Sequence, residues 1–406
     1  MSSNRRRGNR TRRTPPSAGT MVAAAAVAYG TYRLVNWAWD SWNFREEEDD
    51  PLVRREVVVS ETPNNRQKWR LRRQRLERCR EEAANALSDF LPTLRRNIEE
   101  LTETSQDTKA LKQLRNSEDE DRRLKEKELW NAIKTKALTR LIATAYAHTI
   151  LFLVLTVQVH LMGGKLFEEQ AQVPETSSSL GGSVASGRMS SYQQSHRLVL
   201  THTYEFFFDQ GIKLLVNAVE RAVDTVVGDW DVTHPSSIHT SREMLDKAIQ
   251  DICDNLEGRA GGRSSSRRPR SMLRFLLPPE HGLDSVVVDD LAQSILDETL
   301  DVLESPVFED AQRDCLNSTL DMMRDKSWSK IFIETNLPQH ASSPWGAKPL
   351  ATVLSKLKHT SSSFFEEATT AEDQLIFQQT NSSSNLYLPT IQRLPTVLEL
   401  ADVSFN

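Results

Sequence analysis

Seventeen consecutive residues without a formal charge, LIATAYAHTILFLVLTV at 141–157, constrain this chain more than any other stretch. The run sits at the lower limit of length for crossing a bilayer, and a span here would divide the chain between two compartments. It contains Thr144, His148, Thr149 and Thr156, with Gln158 and His160 just beyond. Its apolar character also grows out of an amphipathic lead-in, Leu129, Ile133 and Ala137, at steps of four. A helix that begins amphipathic and becomes apolar on every side suits the axis of a bundle, provided that other helices cover it. The pattern favours a core helix running from about residue 120 to 162, ended by a left-handed turn at Gly163 and Gly164. A two-span membrane protein is the competing reading.

Covering helices are legible on both sides. From residue 66 to about 114, Leu76, Cys79, Ala83, Leu87, Phe90, Leu94, Ile98 and Leu101 recur at helical spacing, with Arg72, Arg73, Arg75, Arg78 and Arg80 on the other side. Pro92 is expected to kink or restart this helix, because it lacks an amide donor. Further helices are expected at 190–230 (one long or a broken pair), 240–256, 284–303, 307–333, 349–357 and 394–403, with a break at Ser305 and Pro306. Strand signals are scarce. The fold class is therefore all-α, an elongated multi-helix bundle around one long core helix. Polar tracts at about 165–190, 258–270 and 361–385, rich in Ser, Gly, Gln and Thr, are expected to be disordered loops.

The net charge of −5 hides an uneven distribution. Residues 1–39 carry Arg5, Arg6, Arg7, Arg10, Arg12, Arg13 and Arg33 and no acid, so the body is strongly acidic. A basic head on an acidic body points to targeting or membrane contact by the head, not to a nucleic-acid-binding body. After the arginines comes an apolar stretch beginning at Thr20 that includes Val22, Ala25, Val27, Tyr29 and Leu34 and ends among Trp37, Trp39 and Trp42. About twenty helical residues reach ~30 Å, enough to cross the hydrocarbon, and the tryptophans stand where an interfacial belt belongs. A single anchor at 20–42 is favoured, after a basic tail at 1–19 and before a linker at 43–65 and a helical domain at 66–406. A cleaved mitochondrial presequence ahead of a helical scaffold, and an interfacial helix, are the alternatives.

Catalytic patterns are weak. GSVASGRM at 182–189 lacks the Lys-Ser/Thr of a phosphate loop, and no zincin, nucleophile-elbow or paired-cysteine motif is present. Cys79, Cys253 and Cys315 are too few and too dispersed for a disulfide framework or zinc site, and read as apolar thiols of a reducing compartment. His148 reads as a core histidine, and Asp297, Asp301 and Glu304 as a solvated acidic face. The five arginines of 258–270 lack an aromatic residue to stack bases. The expectation is a protein that is no enzyme, with no metal, cofactor, nucleic acid or small-molecule substrate. Trp130 stands out: it lies one position round from the core stripe, between Lys127 and Lys134. It is either the edge of the core or an exposed anchor for a partner.

Five blocks, taken in order, resemble one family. They are the basic head with its short anchor; FLPTLRR at 90–96; ELWNAIKTKALTR at 128–140 leading into LTVQVHLMGG at 155–164; LDETLDVLESPVFEDAQRDCLNSTLDMM at 296–323; and KPLATVLSKL at 348–357. Together they are similar to peroxin-3, the peroxisomal membrane biogenesis factor. The resemblance implies a single-pass protein of the peroxisomal membrane with a cytosolic helical bundle, so it supports the core-helix reading of 141–157. It implies that Arg5, Arg6, Arg7, Arg10, Arg12 and Arg13 act as a targeting address on the lumenal side, against the usual positive-inside orientation. It also implies docking of peroxin-19, the soluble chaperone of peroxisomal membrane proteins, whose N-terminal amphipathic helix would lie in an apolar groove. The implied groove residues are Trp130, with Lys127 and Lys134 beside it, Leu111, Leu114, Pro349, Leu350 and Leu354. Two positions depart from the family's pattern: Glu126 and Thr352 stand where a lysine is usual.

Overall fold

Every residue from 137 to 160 is buried inside the protein. In the computed structural model, the described residues are 63–115, 121–172, 183–231, 235–236, 238–257, 272–277, 290–332, 348–349, 353–354, 357 and 387–405. The basic head, the proposed anchor with Val22, Ala25, Val27, Tyr29, Leu34, Trp37 and Trp39, and the tracts at 258–270 and 361–385 lie outside them. The fold is all-α, and among the described residues the β pairing is a two-residue antiparallel ladder.

Helix α1 (Pro63–Leu101) leads into α2 (Ser105–Arg115) and then α3 (Arg122–Gln172). At 51 residues, α3 is about 76 Å long and forms the axis. After it come α4 (Ser183–Phe206), a π-helical turn (Phe207–Gly211), α5 (Ile212–Val227), β1 (Pro235–Ser236) and α6 (Ile238–Glu257). The chain continues through a 3₁₀ turn (Met272–Phe275), α7 (Asp290–Leu303), α8 (Pro306–Phe332), β2 (Lys348–Pro349), α9 (Tyr387–Gln392) and α10 (Pro395–Phe405). Helices α1, α2, α5, α7, α8 and α10 all pack on α3. The opening run is thus covered by protein, and the amphipathic stripe of α1 does much of the covering: Cys79, Ala83, Leu87, Phe90, Leu94 and Ile98 are each at most 2% exposed. Each large apolar side chain removed from water contributes roughly 1.5–3 kcal/mol.

Several buried polar groups of α3 meet specific partners. Tyr146 donates to Glu257 Oε1 at 3.0 Å, Thr156 to the Phe152 carbonyl at 2.9 Å, and Tyr204 of α4 to Gln158 Oε1. The hydroxyls of Thr149 and Thr319 are 3.4 Å apart. Burial holds His148 neutral, with its pKa near 3, and lowers His160 and His196 to about 4. The three cysteines are buried and free, and desolvation pushes each thiol up to about 12. Asp297, Asp301 and Glu304 are exposed, as a solvated face requires.

Several expectations need correction. Gly163 and Gly164 do not stop α3, which continues to Gln172. Both glycines are buried, and their missing side chains let other helices close in. A Cβ on Gly163 would lie 2.5 Å from Cys79 Sγ, and one on Gly164 would press into the carbonyl of Phe405. Pro92 does not restart α1; it is exposed, on the side of the helix where losing one ladder bond costs least. The stripe instead ends at Thr102–Thr104, and Leu101 is exposed at 41%. Residues 165–172 and 183–190 are helical, so the polar tract expected at 165–190 narrows to 173–182, outside the described residues.

The segment at 190–230 is neither one α-helix nor two separated ones. A π turn at Phe207–Gly211 joins α4 to α5, where Gly211 meets the carbonyl of Phe275 and Asn97 Nδ2 donates to the Phe208 carbonyl at 3.3 Å. The break at Ser305 and Pro306 is as expected. Ser305 Oγ accepts from the Phe308 amide at 3.2 Å and Pro306 occupies the first turn, a capped helix start.

Candidate partner-binding site

Three cations on the first half of α3 organise its surroundings. Arg140 donates through Nε to Thr102 Oγ1 at 2.8 Å and through Nη2 to the carbonyls of Thr102 and Glu99 at 2.9 and 3.3 Å. It thereby closes the C-terminus of α1, where carbonyls lack intrahelical partners and the helix dipole is negative. Lys136 bridges to Asp107 at 2.7 Å and ties α2 to α3. Lys134 Nζ donates to the carbonyls of Val227, Gly228 and Trp230 at 2.6, 3.0 and 3.1 Å, and to Asn131 Oδ1 at 3.2 Å, closing the C-terminus of α5. Burial lowers the pKa of Lys134 and of Arg140, opposed by Asp224, Asp229 and Asp231 for the lysine and by Glu99 and Glu103 for the arginine.

Trp130 lies on the turn before these cations, half-buried and packed against the main core. It is the edge of the core and keeps a solvent-facing side. Lys127, three positions earlier, is exposed, and Leu124, three earlier again, is 61% exposed. Sequence reasoning passed over Leu124; its signal was an apolar residue in an otherwise charged run, RRLKEK. Leu114 is half-buried on α2.

Three of the other expected groove residues do not line an open surface. Leu111 is 5% exposed, and Lys134 and Leu354 are fully buried, Leu354 within the main core. Lys134 is a correction to the expectation that it flanks Trp130 as a surface charge: its ammonium is committed to carbonyls of the same chain. Pro349 lies in β2 opposite Pro235, and Leu350 is outside the described residues. The ladder joins the loop after α5 to the 348–349 segment, and Lys134 holds the start of that loop against α3. Trp130 and Pro349, far apart in sequence, are thus attached to one framework at the same end of α5.

A family model described as Peroxin-3 matches residues 102–405. The chain belongs to the peroxin-3 family. It is 24% identical to the peroxisomal biogenesis factor 3 of Rattus norvegicus over 277 residues, covering 66% of this chain and 68% of the relative. It is 23% identical to the Homo sapiens protein of that name over 275 residues, again 66% and 68%. The Mus musculus protein is 24% identical over 239 residues, 57% and 60% of the two chains. These peroxin-3 homologues support a role in peroxisome biogenesis and at the peroxisomal membrane. The matched range takes in the core helix, the Lys134 and Arg140 caps and Trp130.

The surface offers an apolar edge, Leu124 and Trp130, beside the exposed Lys125 and Lys127. Such an arrangement can bury apolar side chains of a partner while its cations meet acidic groups at the rim.

Proposed function

We propose that this peroxin-3 family member is a docking receptor of the peroxisomal membrane that receives cargo-loaded peroxin-19. A single anchor at 20–42 holds it, the helical domain faces the cytosol, and the arginines of the head serve as the targeting address. Peroxin-19 lays an amphipathic helix on the surface carried by Trp130, with Leu124 and Leu114 as apolar neighbours and Lys127 at the rim. Leu350 and Pro349 belong to the opposing segment. Leu111 and Leu354 lie behind it as support.

The supporting observation is the position of Trp130 on α3. The helix passes from solvent to full burial within about two turns, and the tryptophan sits at that transition. An aromatic fixed by the core on one side and open on the other offers a large contact at little entropic cost.

The test is the affinity of peroxin-19 for the Trp130→Ala protein. Truncating an anchor of this kind costs about 2–4 kcal/mol, a loss of about 30-fold or more, with a small change in thermal unfolding. Unchanged binding, or a protein that no longer folds, overturns the assignment.

A further inference from the structure

We propose that Lys134 is a positioning residue for the docking surface: its ammonium pins the chain leaving α5 to α3 and so sets the 348–349 segment relative to Trp130. The inference rests on the docking function argued above.

Three observations carry it. First, Lys134 is fully buried and its Nζ reaches three successive-region carbonyls, Val227, Gly228 and Trp230, between 2.6 and 3.1 Å. An ammonium has three protons, which these carbonyls share with the more distant Asn131 Oδ1 at 3.2 Å, so its capacity is fully used, and the positive charge meets the negative end of α5. Second, the bound carbonyls belong to the last turn of α5 and the loop beyond it. That loop leads into β1, where Pro235 and Ser236 pair with Pro349 and Lys348. Third, Lys134 follows Trp130 by four residues, one helical turn, so the pin and the proposed anchor share one stretch of rigid helix.

A neighbouring contact supplies the control. Thr135 Oγ1 donates to Asp224 Oδ1 at 2.8 Å and also joins α3 to α5. Asp224 lies before the helix end, so this bond holds the helices together without touching the loop. A general weakening of α3–α5 packing would follow from losing either contact. A positional role belongs to Lys134 alone.

The experiment compares Lys134→Met, Thr135→Val and Trp130→Ala in the full chain. It reads affinity for a peptide of the peroxin-19 N-terminal helix, with hydrogen exchange on the unliganded proteins. Lys134→Met is expected to weaken binding at least fivefold and to speed exchange at 228–231, Ser236 and Lys348, while amides of 141–157 keep their protection. Thr135→Val is expected to stay within twofold of the parent. Should Lys134→Met not fold, Lys134→Gln, which keeps a donor for one carbonyl, is read in its place with an expected loss of at least threefold. Parental affinity in the Lys134 variant, or an equal loss in Thr135→Val, overturns the positioning role. Loss of binding in Trp130→Ala with an unaffected Lys134 variant sinks this inference alone. Parental binding in Trp130→Ala sinks the docking surface itself.

Discussion

Gly164 of α3 packs against the main-chain carbonyl of Phe405 in α10 so closely that no side chain fits between them. The ring of Phe405 also lies 6.0 Å from that of Phe167, and Arg72 of α1 sits over it at 5.8 Å while pairing with Asp402 at 3.2 Å. The C-terminal helix is therefore held from two sides. Gly164→Ala is expected to displace α10 and destabilise the fold by about 1–3 kcal/mol, the usual cost of overpacking a close contact. The shift in urea midpoint measures it. A midpoint within error of the parent would show that α10 moves freely.

Arg140 satisfies Thr102 and Glu99 at the end of α1 while itself buried. Arg140→Met keeps much of the aliphatic bulk and abandons those acceptors. Leaving buried acceptors unmade costs about 1–3 kcal/mol. Chemical denaturation should register that loss, and proteolysis should cut first near 102–104. A stable variant with unchanged cleavage contradicts the capping role.

His148, His160 and His196 are buried and neutral, with folded pKa values of about 3, 4 and 4. The unfolded chain takes up these protons near pH 6.5 and the folded chain does not, so the stability is complete above 6.5 and falls with pH. The loss runs down to about pH 4 for His160 and His196 and to about pH 3 for His148. Each group costs roughly 1.4 kcal/mol per pH unit across its window. Thermal unfolding between pH 7.5 and 5 should show a falling midpoint, and His148→Gln should flatten the slope. An equal slope in parent and variant would count against burial of the neutral ring.

The burial of 141–157 makes a topological prediction. A chain beginning at residue 63 should remain in solution without detergent. In intact organelles a lipid-borne photoprobe should label 20–42 and leave 141–157 unlabelled. Strong labelling of the latter would place α3 in lipid and overturn the bundle.

Much of the bundle was legible because helical spacing is local information. The stripe of α1 and the break at Ser305 and Pro306 needed only neighbours a few positions away. The glycines were misread for the same reason. Locally, a Gly pair is a stop signal; here the stop yields to the close approach of Phe405, more than two hundred residues on. Trp130 was visible as an anomaly among lysines, and the structure makes it a half-buried edge of the core. Lys134 was misplaced because a lysine beside a tryptophan has the same local pattern whether it faces water or the end of another helix. Leu124 was overlooked because a lone leucine in a charged run carries no periodicity.

By itself the sequence determined the fold class, the identity of the axial helix, the core histidine and thiols, and the family, since each depends on residue type and short-range order. Tertiary structure alone decided where α3 ends, which cations cap which helices, and how Trp130 comes to share a framework with Pro349. Those outcomes depend on contacts between residues distant in the chain, and a buried charge finds its partners only once the helix ends that it closes have been brought to it.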